Sequence, residues 1–376
     1  MSLSYPGRDT KGEARSIYNM QLPAHTDIPG FDSLRRGKSG GLPPSGVAAF
    51  RVINDELGQV KELINEQLLC CPDEIGVGRL VEHLNGCGGK MIRPGLVLLS
   101  YRVVRDASCE KKSQYEAIRI AAIMEMIHNA TLLHDDVIDE GQSRRGQATV
   151  NSLWGNESAV LLGDFLLSKV FKMCADLEPQ VAKIIATAAG RTCEGELRQI
   201  AQRENWQLSE TEYLDIITEK SAALFSSSCY LGGFLGGAGE IEVRMLSDFG
   251  LNFGIAFQIT DDLLDLVGDQ NKTGKPIGND LDNGRVTLPV IHLLRTANET
   301  DRELVRGVLG GSGKRERRTR YDRLAEKLRA CGSIDYAQKR AEEFAERAIT
   351  AIEGFSQSKS KSVLIELSRF AAQRAV

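Results

Sequence analysis

The stretch HNATLLHDDVIDEGQSRRG, residues 128–146, decides the fold class, because its charges make sense only on a helix. Positions i and i+4 share a helical face, so Asp135 and Asp139 point the same way with Asp136 beside them. Three carboxylates this close repel one another unless a cation sits among them. Hard oxygen donors with no cysteine or convincing histidine set favour Mg2+, which keeps waters and is completed by phosphate oxygens. The paired Arg144 and Arg145 then read as a second clamp on the phosphate. For this stretch alone, a solvated acidic helix end remains an equal alternative.

A second copy separates the two readings. In QITDDLLDLVGDQNKTGKPIGNDLDNGRVTLP, residues 258–289, Asp261, Asp262 and Asp265 repeat the i, i+1, i+4 spacing. Gln258 lies one turn earlier, and Lys275 and Arg285 follow in the glycine-containing loop. Each motif interrupts an otherwise apolar helix face, where charge is costly. Two such helices facing each other across a cavity would hold several metal ions and one diphosphate between them.

With both motifs in place, the chain resembles the trans-type (head-to-tail) isoprenyl diphosphate synthases, of the long-chain polyprenyl kind. DDVIDEGQSRRG and DDLLD stand as the two aspartate-rich motifs. Further matches are GGKMIRP at 88–94, GEL with Gln199 at 195–199, KSAALF at 220–225 and GNDLDNGRVTLPV at 278–290. The likeness runs from about Gly88 to about His292. It implies an all-α single bundle around a central cavity. It also implies Mg2+-dependent condensation of isopentenyl diphosphate with an allylic diphosphate.

The resemblance assigns Asp135, Asp136, Asp139, Asp261, Asp262 and Asp265 to metal, and Arg144, Lys220, Ser221, Gln258, Lys275 and Arg285 to the allylic diphosphate. Lys90, Arg93, His128 and Arg145 would bind isopentenyl diphosphate. Arginine forks suit bidentate phosphate recognition, and His128 lies two turns before Asp135 on the same face, about 10 Å away. Three positions depart from the family: Met91 follows Lys90 where arginine is usual, Ser221 replaces threonine, and Arg285 replaces lysine. Met91 removes a cation near the isopentenyl diphosphate site.

Away from the motifs, the 376 residues are 42% hydrophobic and 26% charged with net charge −4, an ordinary globular composition without a nucleic-acid footprint. Eight cysteines show no metal-ligand spacing and read as reduced residues of a cytoplasmic protein. Residues 1–46, rich in Gly, Pro and Ser, read as a flexible arm with neither a secretory nor a transit signal, and residues 47–376 as one all-α domain. Helical periodicity begins near Ala48 and recurs around 115–140, 157–200, 211–236, 243–268 and 335–352. The uncharged stretch 221–239 has near membrane-span length, but its serines and glycines predict a closely packed internal helix instead. The run GGSGKRERRTR at 310–320 reads as a solvated loop.

Competing readings explain less. His134–Asp135 is an HD pair, but an HD-type phosphohydrolase needs further histidine ligands and leaves GGKMIRP unexplained. A terpene cyclase has no use for an isopentenyl diphosphate pocket. A non-catalytic regulatory subunit would carry eroded motifs, and here all six aspartates are present. Peripheral membrane contact for product release is compatible with the absence of an apolar span, and the family implies a homodimer. Small residues at Thr131 and Ala130, with Ile127 and Met124 below them, predict a hexaprenyl to decaprenyl product. Geranylgeranyl or farnesyl diphosphate is the alternative.

Overall fold

The computed structural model describes residues 50–69, 77–86, 89–105, 111–144, 146–267, 278–309 and 314–373. The predicted arm, Arg145 and Lys275 lie outside them. The described residues all belong to one compact unit.

A short 3-10 turn, Phe50–Ile53, leads into α1 (Asn54–Leu68), α2 (Val77–Gly86), α3 (Ile92–Val104) and α4 (Lys111–Ile138). Two-residue strands β1 (Ser143–Arg144) and β2 (Gln147–Ala148) pair antiparallel, with Arg144 opposite Gln147. Then come α5 (Val150–Trp154), α6 (Asn156–Cys174), α7 (Pro179–Ala201) and α8 (Glu210–Ile217). A π-helical turn, Thr218–Ala222, runs into α9 (Ala223–Leu235), followed by α10 (Glu240–Val267). The chain ends through α11 (Asn279–Asp282), α12 (Leu288–Thr296), α13 (Glu299–Leu309), α14 (Lys314–Ala330), α15 (Ser333–Ala351) and α16 (Lys359–Gln373).

The two predicted motif helices are α4 and α10, each 28 residues long, with the aspartates in the last turns except Asp139, which follows the end of α4. Between them runs α9, which touches both. Its composition explains how it fits. A Cβ on Gly250 or Gly254 of α10 would lie 2.6 Å from the backbone of Phe225 or Ala222, so glycine lets the two helices approach. No described helix is long and apolar enough to cross a membrane. Within the uncharged stretch 221–239, α9 is the internal helix that its small residues predict, with Ala223, Leu224, Phe225, Ser228, Cys229 and Leu231 buried.

Two apolar clusters carry the bundle, and α10 belongs to both: Leu246, Phe249 and Phe253 join one, and Ile259, Leu263 and Leu266 the other. The predicted 157–200 helix is two helices, broken before Pro179. The basic run was expected to be a loop, but from Lys314 it is helical. Arg, Lys and Glu are good helix formers, and the buried Leu324 and Leu328 recur on one face.

Candidate active site

The first motif closes α4 and turns straight into the β hairpin. Arg144 donates from Nε to both oxygens of Asp136 (2.9 and 3.1 Å) and from a terminal nitrogen to Oδ1 (2.7 Å). Asn151 holds the turn by donating to the carbonyls of Asp136 and Gly141. Asp139 meets different cations: Arg285 donates to both of its oxygens (2.6 and 2.9 Å), and Arg203 lies 3.4 Å away. Arg285 also reaches Glu196 (3.4 Å) and Asp280 (3.5 Å).

Asp135 lies among charges of both signs. Burial raises its carboxyl to about 6; Lys220 and Arg144 oppose that rise, while Glu196 and Asp139 add to it. Lys220 and Glu196 come from the π turn and α7, and Arg285 bridges Glu196 to Asp139 of the first motif. Lys220 pairs with Glu196 and donates to Gln199 Oε1 at 2.7 Å. The π turn can approach α7 this closely because residue 195 is glycine: a Cβ there would lie 2.1 Å from the Lys220 nitrogen. An inserted π turn that aims a side chain is a recurrent feature of functional sites.

The second motif is wired differently. Asp262 is buried, and both of its oxygens accept bonds, from Tyr213 OH (2.6 Å) and Gln258 Nε2 (2.7 Å). Gln258 in turn accepts from Ser221 Oγ at 2.7 Å. Burial, with Asp280 and Asp261 nearby, pushes the Asp262 pKa up against the pull of those two hydrogen bonds. Asp265 accepts from the backbone N–H groups of Asn279 (3.2 Å) and Asp280 (3.0 Å). Asp261 is half-buried and lies close enough to Arg144 to influence its charge.

The third group gathers where α3 meets α4. A Cβ on Gly89 would lie 2.6 Å from Glu125 Oε1, so the loop carrying Lys90 rests one turn before His128. The Arg93 guanidinium stacks 4.2 Å over the Phe225 ring. Met91 takes a left-handed backbone (φ 52°) and turns its side chain into the core. It lines a cavity of about 230 Å3 together with Glu125, Asn129, Leu132, Asp136 and Arg144. Ala130, Ile127 and Met124, the predicted product wall, lie fully inside the packed core, and Thr131 is half-buried.

Among the described residues no three carboxylate, imidazole or thiolate side chains converge tightly enough to hold a metal by themselves. A hard-oxygen site with one or two carboxylates from each motif, completed by diphosphate and water, fits Mg2+. Tyr213 and Glu196 escaped the sequence reading as site residues. Glu196 had a signal, since it sits in the quoted GEL; Tyr213 had none, because its contact crosses 49 residues.

Residues 76–327 match the sequence profile of the polyprenyl synthetase family. The chain belongs to that family. It is 35% identical over 303 residues to the octaprenyl diphosphate synthase of Escherichia coli K12, covering 79% of this chain and 90% of the relative. A crystal structure of a polyprenyl synthase from Caulobacter crescentus, complexed with calcium and isoprenyl diphosphate, superposes with TM-score 0.81 at 30% identity. The match covers 88% of this chain and 98% of that one. A geranylgeranyl pyrophosphate synthetase from Pyrococcus horikoshii gives 0.77 at 33% identity, with 87% and 98% covered. The chain is thus a prenyl-transferring enzyme with the all-α fold of the trans-isoprenyl diphosphate synthases.

Proposed function

We propose that the enzyme condenses isopentenyl diphosphate with an allylic diphosphate, uses Mg2+, and extends the product to hexaprenyl–decaprenyl length. The observation that carries this reading is the facing arrangement of Asp135 and Asp139 with Lys220 and Arg285, backed by Arg144 and Asp261. Asp135, Asp139 and Asp261 are the metal-facing carboxylates, joined by Asp136 when Arg144 turns to the diphosphate; Asp262 and Asp265 support them through neutral donors. Bound there, Mg2+ supplies charge neutralisation for the departing pyrophosphate.

The chain's own groups do the rest. Arg144, Lys220 and Arg285 already lie against carboxylates, so a diphosphate arriving with its metal would compete for the same charges and draw the cations onto its oxygens. Ser221 and Gln258 orient that end of the site, and Lys275 extends the allylic clamp. Lys90, Arg93, His128 and Arg145 bind the second diphosphate. Phe225, Phe253 and Phe257, whose ring centroids lie 5.3–6.0 Å apart, exclude water and present aromatic faces that tolerate developing positive charge. Leu161 and Phe171 on α6 and Leu197 on α7, each at least 60% exposed, are apolar surface that pairing of two copies would cover.

Purified enzyme given farnesyl diphosphate and excess isopentenyl diphosphate should form long products that EDTA abolishes, read by chromatography after dephosphorylation. Ala130→Phe should shorten them by placing a ring below Thr131. Arrest of the unaltered enzyme at the geranylgeranyl product would reject the chain-length reading. Turnover that survives chelation would reject the metal.

A further inference from the structure

The reaction as described uses nothing beyond Arg285, yet α14 returns to touch the second motif. Tyr321, on that helix, donates its hydroxyl to the main-chain oxygens of Leu266 (2.8 Å) and Asp265 (3.1 Å). These carbonyls belong to the last turn of α10, where a helix has no partners of its own to offer them. The Asp265 carbonyl also accepts from Gly278 N at 2.8 Å. The tyrosine ring closes the other side: a Cβ on Gly278 would lie 2.5 Å from Tyr321 Cε2. Gly278 has φ +88°, so glycine is required there both by its backbone conformation and by the ring.

The clamp reaches both motifs. Asp265 sits one turn after Asp261, so fixing the end of α10 fixes the direction of Asp261. The Asp280 amide bonds to Asp265, and the Asp280 carboxylate faces Arg285 at 3.5 Å. Arg285 holds Asp139 at 2.6 Å. A continuous series of contacts therefore runs from Tyr321 through Asp265, Asp280 and Arg285 to the first motif.

We infer that Tyr321 is a positioning residue for the allylic diphosphate half of the site, fixing the end of α10 against the Gly278 turn so that Asp261 and Arg285 face the first motif at a set distance. The inference rests on the function proposed above. It requires Tyr321 to act on one of the two diphosphate pockets, since Lys90, Arg93 and His128 are carried by α3, its preceding loop and α4.

The test is Tyr321→Phe, which keeps the ring and removes only the hydroxyl. Binding of inorganic pyrophosphate would be followed by calorimetry with and without Mg2+, alongside KM for each substrate and the thermal midpoint. Loss of one such hydrogen bond should weaken Mg2+-dependent pyrophosphate binding and raise the allylic KM by roughly 3- to 10-fold. The isopentenyl diphosphate KM should stay within about twofold and the melting temperature within a few degrees. Gly278→Ala, which strikes the same clamp from the other side, should reproduce the split. Equal changes in both KM values, or a lower melting temperature with unaltered pyrophosphate binding, would overturn the positioning role. Unaltered enzyme that bound pyrophosphate equally well without Mg2+ would overturn the metal reading and this inference with it.

Discussion

The two aspartate motifs have the same spacing and lie near the C-terminal ends of helices of equal length, yet their surroundings divide the work between them. In the first, cations satisfy the carboxylates: Arg144 on Asp136, Arg285 and Arg203 on Asp139, with Lys220 influencing Asp135. In the second, neutral donors satisfy two of the three: Tyr213 and Gln258 on Asp262, and backbone amides on Asp265. A carboxylate at a helix C-terminus opposes the helix dipole, so neither motif is favourable for folding alone. The first is a set of exchangeable charges, whereas the second is a rigid frame that presents Asp261.

The sharpest way to break this comparison is to remove one metal-facing carboxylate from each motif and one framed carboxylate. Asp135→Ala and Asp261→Ala should each lower kcat by roughly 1000-fold, because leaving-group stabilisation acts in the transition state. Asp265→Asn keeps an acceptor for one of the two backbone amides and should cost far less. Equal losses in all three, measured under saturating Mg2+, would show that the second motif is not a frame.

Arg285→Ala tests the exchangeable charges through stability. Its side chain is 10% exposed, and removing it leaves Asp139, Glu196 and Asp280 facing one another. The expected loss is roughly 3 kcal/mol in urea titration. Mg2+ with pyrophosphate should restore part of it, since the metal ions replace the missing cation. Tyr213→Phe probes the frame and should cost about 1.5 kcal/mol, the scale of a buried hydrogen bond to a charged group, with no such rescue.

The smallest expected effect concerns pH. The Asp135 carboxyl is raised from 3.8 to about 6, chiefly by burial. Folded protein therefore binds more protons than unfolded protein in that interval. The stability contribution of this group is full below 3.8 and is lost as pH rises through 6. Metal and proton compete for one carboxylate, so the Mg2+ concentration at half-maximal activity should rise several-fold between pH 7.5 and 5.5. A flat titration would separate Asp135 from the metal.

Much of this molecule was legible in the linear order of residues. The i, i+1, i+4 carboxylates define a helical face whatever packs around it, and the serines and glycines of the uncharged stretch 221–239 favour the closely packed helix found there as α9. The basic run reads as a loop by charge density alone, whereas from Lys314 the spacing of Tyr321, Leu324 and Leu328 makes it a helix. The chain matches an octaprenyl and a geranylgeranyl synthase at similar identity, so the family is legible in the sequence and product length is the property that product chromatography measures.

By itself, the sequence determined the fold class, the two aspartate motifs and the cations that accompany them, because helical periodicity and charge spacing are local properties. Only the tertiary structure decided which partners hold each aspartate. That choice depends on Tyr213, 49 residues from Asp262, on Arg285, 146 residues from Asp139, and on Tyr321, 56 residues from Asp265. Electrostatic and hydrogen-bond energies act over a few ångströms of space, and a chain brings such distant residues within reach only when it folds.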